Sequence, residues 1–312
     1  MIAPRRAACF VGIAAATLAC DRSEKQEDRS APSPPPVASP APPELLHVPD
    51  PKDLLPPPVG EGLLPNAPRK PAGRCPPEMV DVRGEFCIDR YEIHLVDERT
   101  GEALSPYYHP TPKQTRASLA RYREIGLGPG FPELPEPPAF QLAGEAVPSA
   151  RSARGVVPSG YLSGVKAGAA CRAAGKRLCT RAEWVLACRG QAGRKFPYGD
   201  AYEHGTCNVF RSSHPAQVLH GNASRHHLDP RLNRVADAEG PLLRRTGSLP
   251  RCRSEWGDDA IYDMVGNLDE WVDDGSFLGG FYSRGTREGC DARVSSHPPR
   301  YFDYSLGTRC CL

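Results

Sequence analysis

The chain has 312 residues, a net charge of +2 at pH 7, 35 prolines and 12 cysteines. Its basic residues are scattered rather than gathered in a stripe or face, which excludes the electrostatic footprint of a nucleic-acid binder. The length allows one folded domain of ordinary size with room for extensions.

The first element is a short basic start at Arg5 and Arg6, followed by an apolar run from Ala7 to Ala19 that breaks at Cys20, Asp21 and Arg22. Spanning a bilayer takes roughly 20 apolar residues, and this run is shorter. It has the layout of a secretory signal over residues 1–19: charged start, apolar middle, small residue before the break. Thr17-Leu18-Ala19-Cys20 resembles a bacterial lipobox. Cys20 then becomes the lipidated first residue of an extracytoplasmic protein, held on the lipid bilayer at the periplasm or cell surface; the plainer alternative is a secreted protein with an incidental cysteine. Residues 20–73 are crowded with proline, as in Ser30-Ala31-Pro32-Ser33-Pro34-Pro35-Pro36 and Pro56-Pro57-Pro58, and nearly free of aromatics. Such a segment cannot bury enough apolar surface to offset chain entropy and is expected to act as an extended tether.

Residues 74–312 hold all three tryptophans and are expected to form the folded domain. A first helix is expected over 160–174, stopped by Gly175. A second opens at Thr180, where Thr180-Arg181-Ala182-Glu183 is a capping box before Trp184. Short strands are expected near Phe86 to Leu95, Phe277 to Ser283 and Leu306 to Leu312, separated by long loops rich in Gly and Pro. The fold class is therefore α+β with little regular secondary structure and needs covalent staples.

Those staples are available. Setting aside Cys9 and Cys20 leaves ten cysteines: Cys75, Cys87, Cys171, Cys179, Cys188, Cys207, Cys252, Cys290, Cys310 and Cys311. An even number in an exported chain, with no C-x-x-C pair, points to disulfides rather than to zinc or thioredoxin-like chemistry. The spacing lets Cys75 and Cys87 close a local loop. Cys310 and Cys311, adjacent on a strand, point to opposite faces and need different partners.

Two clusters invite a functional reading. The stretch Asp263-Met264-Val265-Gly266-Asn267-Leu268-Asp269-Glu270-Trp271-Val272-Asp273-Asp274 sets carboxylates around a Gly-Asn pair: a calcium loop with mixed carboxylate and carbonyl ligands, or an acidic turn packed beside a core tryptophan. His204, His214, His220, His226 and His227 match no metal-triad spacing and read as a solvated polar loop, with a metal site as the alternative. No Gly-x-Ser-x-Gly elbow and no His-x-x-x-His-x-Glu occurs.

Several motifs in order carry a resemblance: Glu85-Phe86-Cys87-Ile88-Asp89-Arg90-Tyr91-Glu92, Gly175-Lys176-Arg177-Leu178-Cys179-Thr180-Arg181-Ala182-Glu183-Trp184, Phe196-Pro197-Tyr198-Gly199, the 263–271 segment, Gly279-Gly280 and Gly307-Thr308-Arg309-Cys310. Together they resemble the sulfatase-modifying factor family, that of the formylglycine-generating enzyme. The resemblance implies a C-type-lectin-like fold held by calcium and disulfides. In active members it implies oxidation of a sulfatase cysteine to formylglycine by copper bound to two cysteines. It also implies pairing of Cys171 with Cys310 and of Cys188 with Cys290; Cys207 with Cys252 and Cys179 with Cys311 are then the guess for the remainder. For calcium it implies Asp263, Gly266, Leu268 and Glu270 as ligands, and a second site beginning at Asn208 and Val209.

The copper positions do not carry thiols here. They fall on Arg284 and Gly289, and copper(I) needs soft thiolates; Phe281 replaces the family's serine and Asp269 its tryptophan. Two functions are expected from this: a lipid-anchored, calcium-stabilised binding or scaffolding module for a protein, glycan or cell-wall partner, without catalytic residues; or, alternatively, a divergent oxidoreductase whose cofactor site has moved.

Overall fold

Residues 75–312 are described by the computed structural model; the signal segment, Cys20 and the proline-rich tether lie outside them. The described chain opens with a hairpin of β1 (Met79–Val82) and β2 (Phe86–Asp89), turned at Arg83 and Gly84, both with positive φ. That geometry matches the right-handed twist of the two strands. β3 (Ile93–Asp97) pairs antiparallel with β4 (Pro148–Ser152), and between them lie α1 (Pro112–Glu124) and α2 (Ala139–Ala143). α3 (Gly164–Ala173) is capped by Ser163, whose hydroxyl accepts from the Lys166 amide. After β5 (Arg177–Leu178), α4 (Arg181–Arg189) starts with the expected capping box, Thr180 and Glu183 satisfying one another's backbone amides.

The second half is almost all loop. It carries α5 (Pro215–His220), the ribbon of β6 (Ala236–Asp237) and β7 (Gly240–Pro241), and the hairpin of β8 (Arg253–Trp256) and β9 (Asp259–Tyr262). β10 (Asp269–Trp271), β11 (Phe277–Leu278), β12 (Arg293–Val294), β13 (Leu306–Gly307) and β14 (Cys310–Cys311) follow. Two four-stranded sheets organise the domain, in the orders β1-β2-β14-β5 and β12-β11-β10-β13. The first joins the beginning of the described chain to its last strand. One apolar core gathers Val80, Ile88, Trp184, Ile261, Met264 and Leu278; another is built on Tyr107, Tyr161, Leu232, Tyr282 and Tyr304. Among the described residues no helix is long and apolar enough to cross a membrane.

The fold is α+β and disulfide-rich. All ten cysteines are bridged: Cys75–Cys87, Cys171–Cys310, Cys179–Cys311, Cys188–Cys290 and Cys207–Cys252. Cys310 and Cys311 therefore fasten α3 and the lead-in to α4 to the same terminal strand from its two faces.

Several elements are shorter than expected, each for a visible reason. The strand expected from Phe86 to Leu95 breaks at Arg90–Glu92, where Arg90 turns to Asp259 and Glu92 turns inward to Asn267. The strand expected to run to Ser283 stops at Leu278 because Gly279 and Gly280 both take positive φ. The strand expected from Leu306 to Leu312 is split where Arg309 enters the interior. α3 begins four residues later than expected, at the Ser163 cap.

Candidate functional site

The acidic loop is tight: Asp263, Gly266 and Asn267 all have positive φ, a conformation unusual for the two non-glycines. Gly266 is obligatory there, since a side chain would drive into the Asn208 carbonyl. Asn267 braces the loop by accepting from Asn208 Nδ2 at 2.9 Å and the Arg244 amide at 2.9 Å, while donating to Glu92 Oε2 at 2.6 Å. Glu92 also accepts the Leu268 amide at 3.0 Å.

Glu270 is held differently from the reading as a calcium ligand. Arg309 donates to both its oxygens at 2.7 Å, and the Trp184 indole donates to Oε2 at 2.7 Å. Its carboxylate is thus committed to a guanidinium, and it positions Arg309, which also donates to the carbonyls of Asp89 and Tyr262. Asp263 uses Oδ2 on the Gly247 amide at 2.6 Å. The Asn208 side-chain oxygen accepts from Arg211 and its carbonyl from the Asn267 amide, one hydrogen bond each, and the Val209 side chain packs in the core.

Charge nevertheless favours a cation beside this loop. Glu92, Asp263 and Glu270 are at most 5% exposed, and the guanidinium buried with them is that of Arg309, with Arg154 adding a positive charge on the Asp263 side. Burial, and then the neighbouring carboxylates, hold Glu92 well above the usual carboxylate range; burial pushes Asp263 up to about 6. A hard divalent ion suits such a donor set. Glu270 being engaged, the residues that fit are Asp263 and the carbonyls of Gly266 and Leu268.

At Arg284, the first position that the resemblance assigns to a copper ligand, stands an ion pair. Arg284 donates to Asp269 Oδ1 at 2.7 Å, and the Gly280 amide donates to the same oxygen at 3.0 Å. Asp269 is 1% exposed and its Oδ2 has no partner; burial pushes its carboxyl up to about 7. Gly289, the second copper position, has positive φ, and a side chain there would collide with the Lys195 carbonyl. The neighbouring Cys290 is bridged to Cys188.

The histidines do not form one solvated loop. His214 and His227 pack together against Tyr304, the three ring centres about 6 Å from one another, with His214 Nε2 3.0 Å from the Tyr304 hydroxyl. His220 and His226 lie in contact with their rings tilted by 32° and centred 4.3 Å apart, and His220 Nε2 sits 2.9 Å from Asp229, which also takes Arg231. His204 is exposed beside Tyr202. Among the described residues no three His, Cys, Asp or Glu side chains converge to hold a metal ion, so any calcium site depends on main-chain oxygens.

A pH dependence follows. Burial lowers His94 and His109 to about 4, so the stability they contribute is complete above about 6.5 and lost as pH falls toward 4. Asp269 has the opposite sign: raised in the folded state, it contributes stability below the unfolded carboxyl range that is lost as pH rises through about 7. Between pH 6.5 and 8 the titration of Asp269 is expected to remove about 1 kcal/mol of stability to urea, given about 1.4 kcal/mol per pH unit per proton, set against the last of the histidine rise, since unfolded imidazoles are still about half charged at 6.5. Asp269→Asn should shift the slope of stability against pH upward by that amount; an unchanged slope would remove Asp269 as a contributor.

A family model described as "Sulfatase-modifying factor enzyme 1-like domain" matches residues 145–294. Two solved structures are similar to the chain. One is titled "Crystal Structure of CarF", 16% identical with a TM-score of 0.34, covering 72% of this chain and 85% of that one. The other is "Structure of PvdO from Pseudomonas aeruginosa", 14% identical with a TM-score of 0.33, covering 72% and 79%. No curated protein matches.

Proposed function

We propose, from the premise that the chain belongs to the sulfatase-modifying factor family through residues 145–294, that it is an extracytoplasmic, lipid-anchored member acting as a calcium-stabilised binding or scaffolding module rather than a copper oxidase. The observation that carries this reading is the state of the copper positions. Arg284 is locked on a buried aspartate, and Gly289 has no room for a side chain. Cys290 is in a disulfide, so the two soft ligands that copper(I) requires are not offered there. The five disulfides suit an oxidising compartment. The partner, whether protein, glycan or cell-wall polymer, meets the module through the surface around the remodelled centre.

The deciding experiment is incubation of the purified full chain with copper and a sulfatase-type cysteine peptide, read by mass spectrometry. No aldehyde product is expected; its appearance would return the chain to the oxidoreductases, with a relocated cofactor site. For the anchor, a palmitate analogue should label the chain, and Cys20→Ala should abolish labelling. Persistent labelling would reject Cys20 as the lipidated residue.

Calcium is tested by its linkage to folding. An ion bound only by the folded state raises stability with its free concentration, by about 2.7 kcal/mol at a hundredfold excess over Kd. Melting in millimolar calcium should therefore exceed melting in EDTA, and Asp263→Ala should remove most of the difference. Identical transitions in both conditions would discard the ion.

A further inference from the structure

Arg284 and Phe281 are the two ends of one turn, closed by the Arg284 amide donating to the Phe281 carbonyl at 3.0 Å. This turn lies along the 211–214 segment, joined to it by the Arg211 amide on the Tyr282 carbonyl at 2.9 Å and by Ser283 Oγ on the Ser213 carbonyl at 2.7 Å. His214 is thereby brought against Phe281, ring centres 6.4 Å apart, and both rings face Tyr304 at about a right angle. His227 extends this aromatic cluster, its ring centre 6.3 Å from that of His214 and 5.7 Å from that of Tyr304.

The polar groups at this place have unused capacity. The Arg284 side chain is 29% exposed and, among the described residues, its one recorded side-chain hydrogen bond is to Asp269. A guanidinium is a planar fork with five N–H donors, so most of them remain for a ligand. Asp269 Oδ2, Thr286 Oγ1 and His214 Nδ1 are buried atoms without hydrogen-bond partners, two of them on residues no more than 1% exposed. Buried polar atoms are rarely left unpaired without cause. Asp269 is fixed by the Gly280 amide, so it orients the guanidinium from behind and leaves the other edge toward solvent.

Of the two charges, the guanidinium is outward and the carboxylate buried. A ligand ammonium would meet Arg284 first and be repelled, whereas a carboxylate can take two parallel N–H bonds from the free edge of the fork. An aromatic ring attached to that carboxylate has Phe281, His214 and His227 to pack against. We propose that this centre is a receptor for a carboxylate joined to an aromatic ring. Such a group occurs in a free aryl carboxylic acid and at an aromatic C-terminal residue of a peptide. The inference rests on the reading of the centre as a binding site.

The test is titration calorimetry of the full chain with five probes: 3-phenylpropionate, N-acetyl-Gly-Gly-Phe, the corresponding C-terminal amide, phenylethylammonium and acetate. Both aromatic carboxylates are expected to bind with Kd of about 1 mM or tighter, and whichever is tighter identifies the source. The amide, the ammonium and acetate should each be at least about tenfold weaker, a difference of about 1.4 kcal/mol. Arg284→Lys keeps the charge but loses the fork and should weaken the aromatic carboxylates about tenfold. Phe281→Leu leaves the Arg284–Asp269 pair intact and should weaken them severalfold without affecting acetate. Equal affinity for acid and amide, tighter binding of the ammonium, undiminished binding in a folded Arg284→Lys protein, or no binding of any probe up to about 10 mM would each overturn the proposal. Aldehyde formation in the copper assay would defeat the non-catalytic reading alone, since the preference of acid over amide is measured without turnover.

Discussion

Replacing Arg309 by methionine is expected to cost about 3–5 kcal/mol of folding stability, the penalty for removing one partner of a buried ion pair. The side chain is fully buried, donates to both oxygens of Glu270, and reaches the carbonyls of Asp89 and Tyr262. Its loss strands a carboxylate in a region already rich in carboxylates, Glu92 and Asp263. Adding Glu270→Gln should recover part of the loss, because glutamine can still accept from the Trp184 indole while carrying no charge; neighbours in one network do not add. Urea unfolding of the wild type, both single variants and the double variant measures this. A single-variant loss below about 1 kcal/mol, the worth of an ordinary hydrogen bond, would show that Arg309 is not the counter-charge of the cluster.

Gly289→Ala is expected to destabilise by about 2–5 kcal/mol, combining about 1–2 kcal/mol for a left-handed backbone with about 1–3 kcal/mol for overpacking. The Cβ would press on the Lys195 carbonyl, the same carbonyl that accepts the Cys290 amide at 2.9 Å. Gly155→Ala is the control: φ is +78° and nothing lies within 4 Å of the added carbon, so only the backbone cost applies. If the two variants lose equally, the collision at 289 is relieved without penalty, and a thiol could be accommodated there after all. If Gly289→Ala loses more, Gly289→Cys cannot restore a copper ligand without displacing the 195–196 segment.

The α+β class and the two central helices were legible because their signals are local: a capping box at Thr180–Glu183, a glycine stop at Gly175, and small residues between. α1 was not read, although Thr115, Leu119 and Tyr122 are its buried positions and recur at helical spacing. The remaining positions are mostly Lys, Arg, Gln and Ser, so the apolar stripe is only one residue wide and is lost among the flanking prolines. At the site, the motifs named the right segments but not the roles within them. Arg309 stood inside Gly307-Thr308-Arg309-Cys310 and Glu92 at the end of the Arg90-Tyr91-Glu92 run, yet nothing in either run says that residues 217 positions apart share one buried charge cluster. The histidines show the converse. Five in one stretch look like one feature, yet α5 and the turn after it divide four of them into a Tyr304 pair and an Asp229 pair and leave His204 exposed beside Tyr202.

The position of β14 bears on when this protein can acquire its shape. Leu312 exchanges backbone hydrogen bonds with Cys87 at 2.9 and 3.0 Å, and Cys310 and Cys311 are inserted between β2 and β5. The first sheet therefore lacks an interior strand until residues 310–312 have been made, and two of the five disulfides have no second cysteine before then. Residues 75–309 emerging from a ribosome remain an unfinished chain, whatever time they are given. A stop codon at position 310 should consequently abolish accumulation of the protein as thoroughly as one in the middle of the domain.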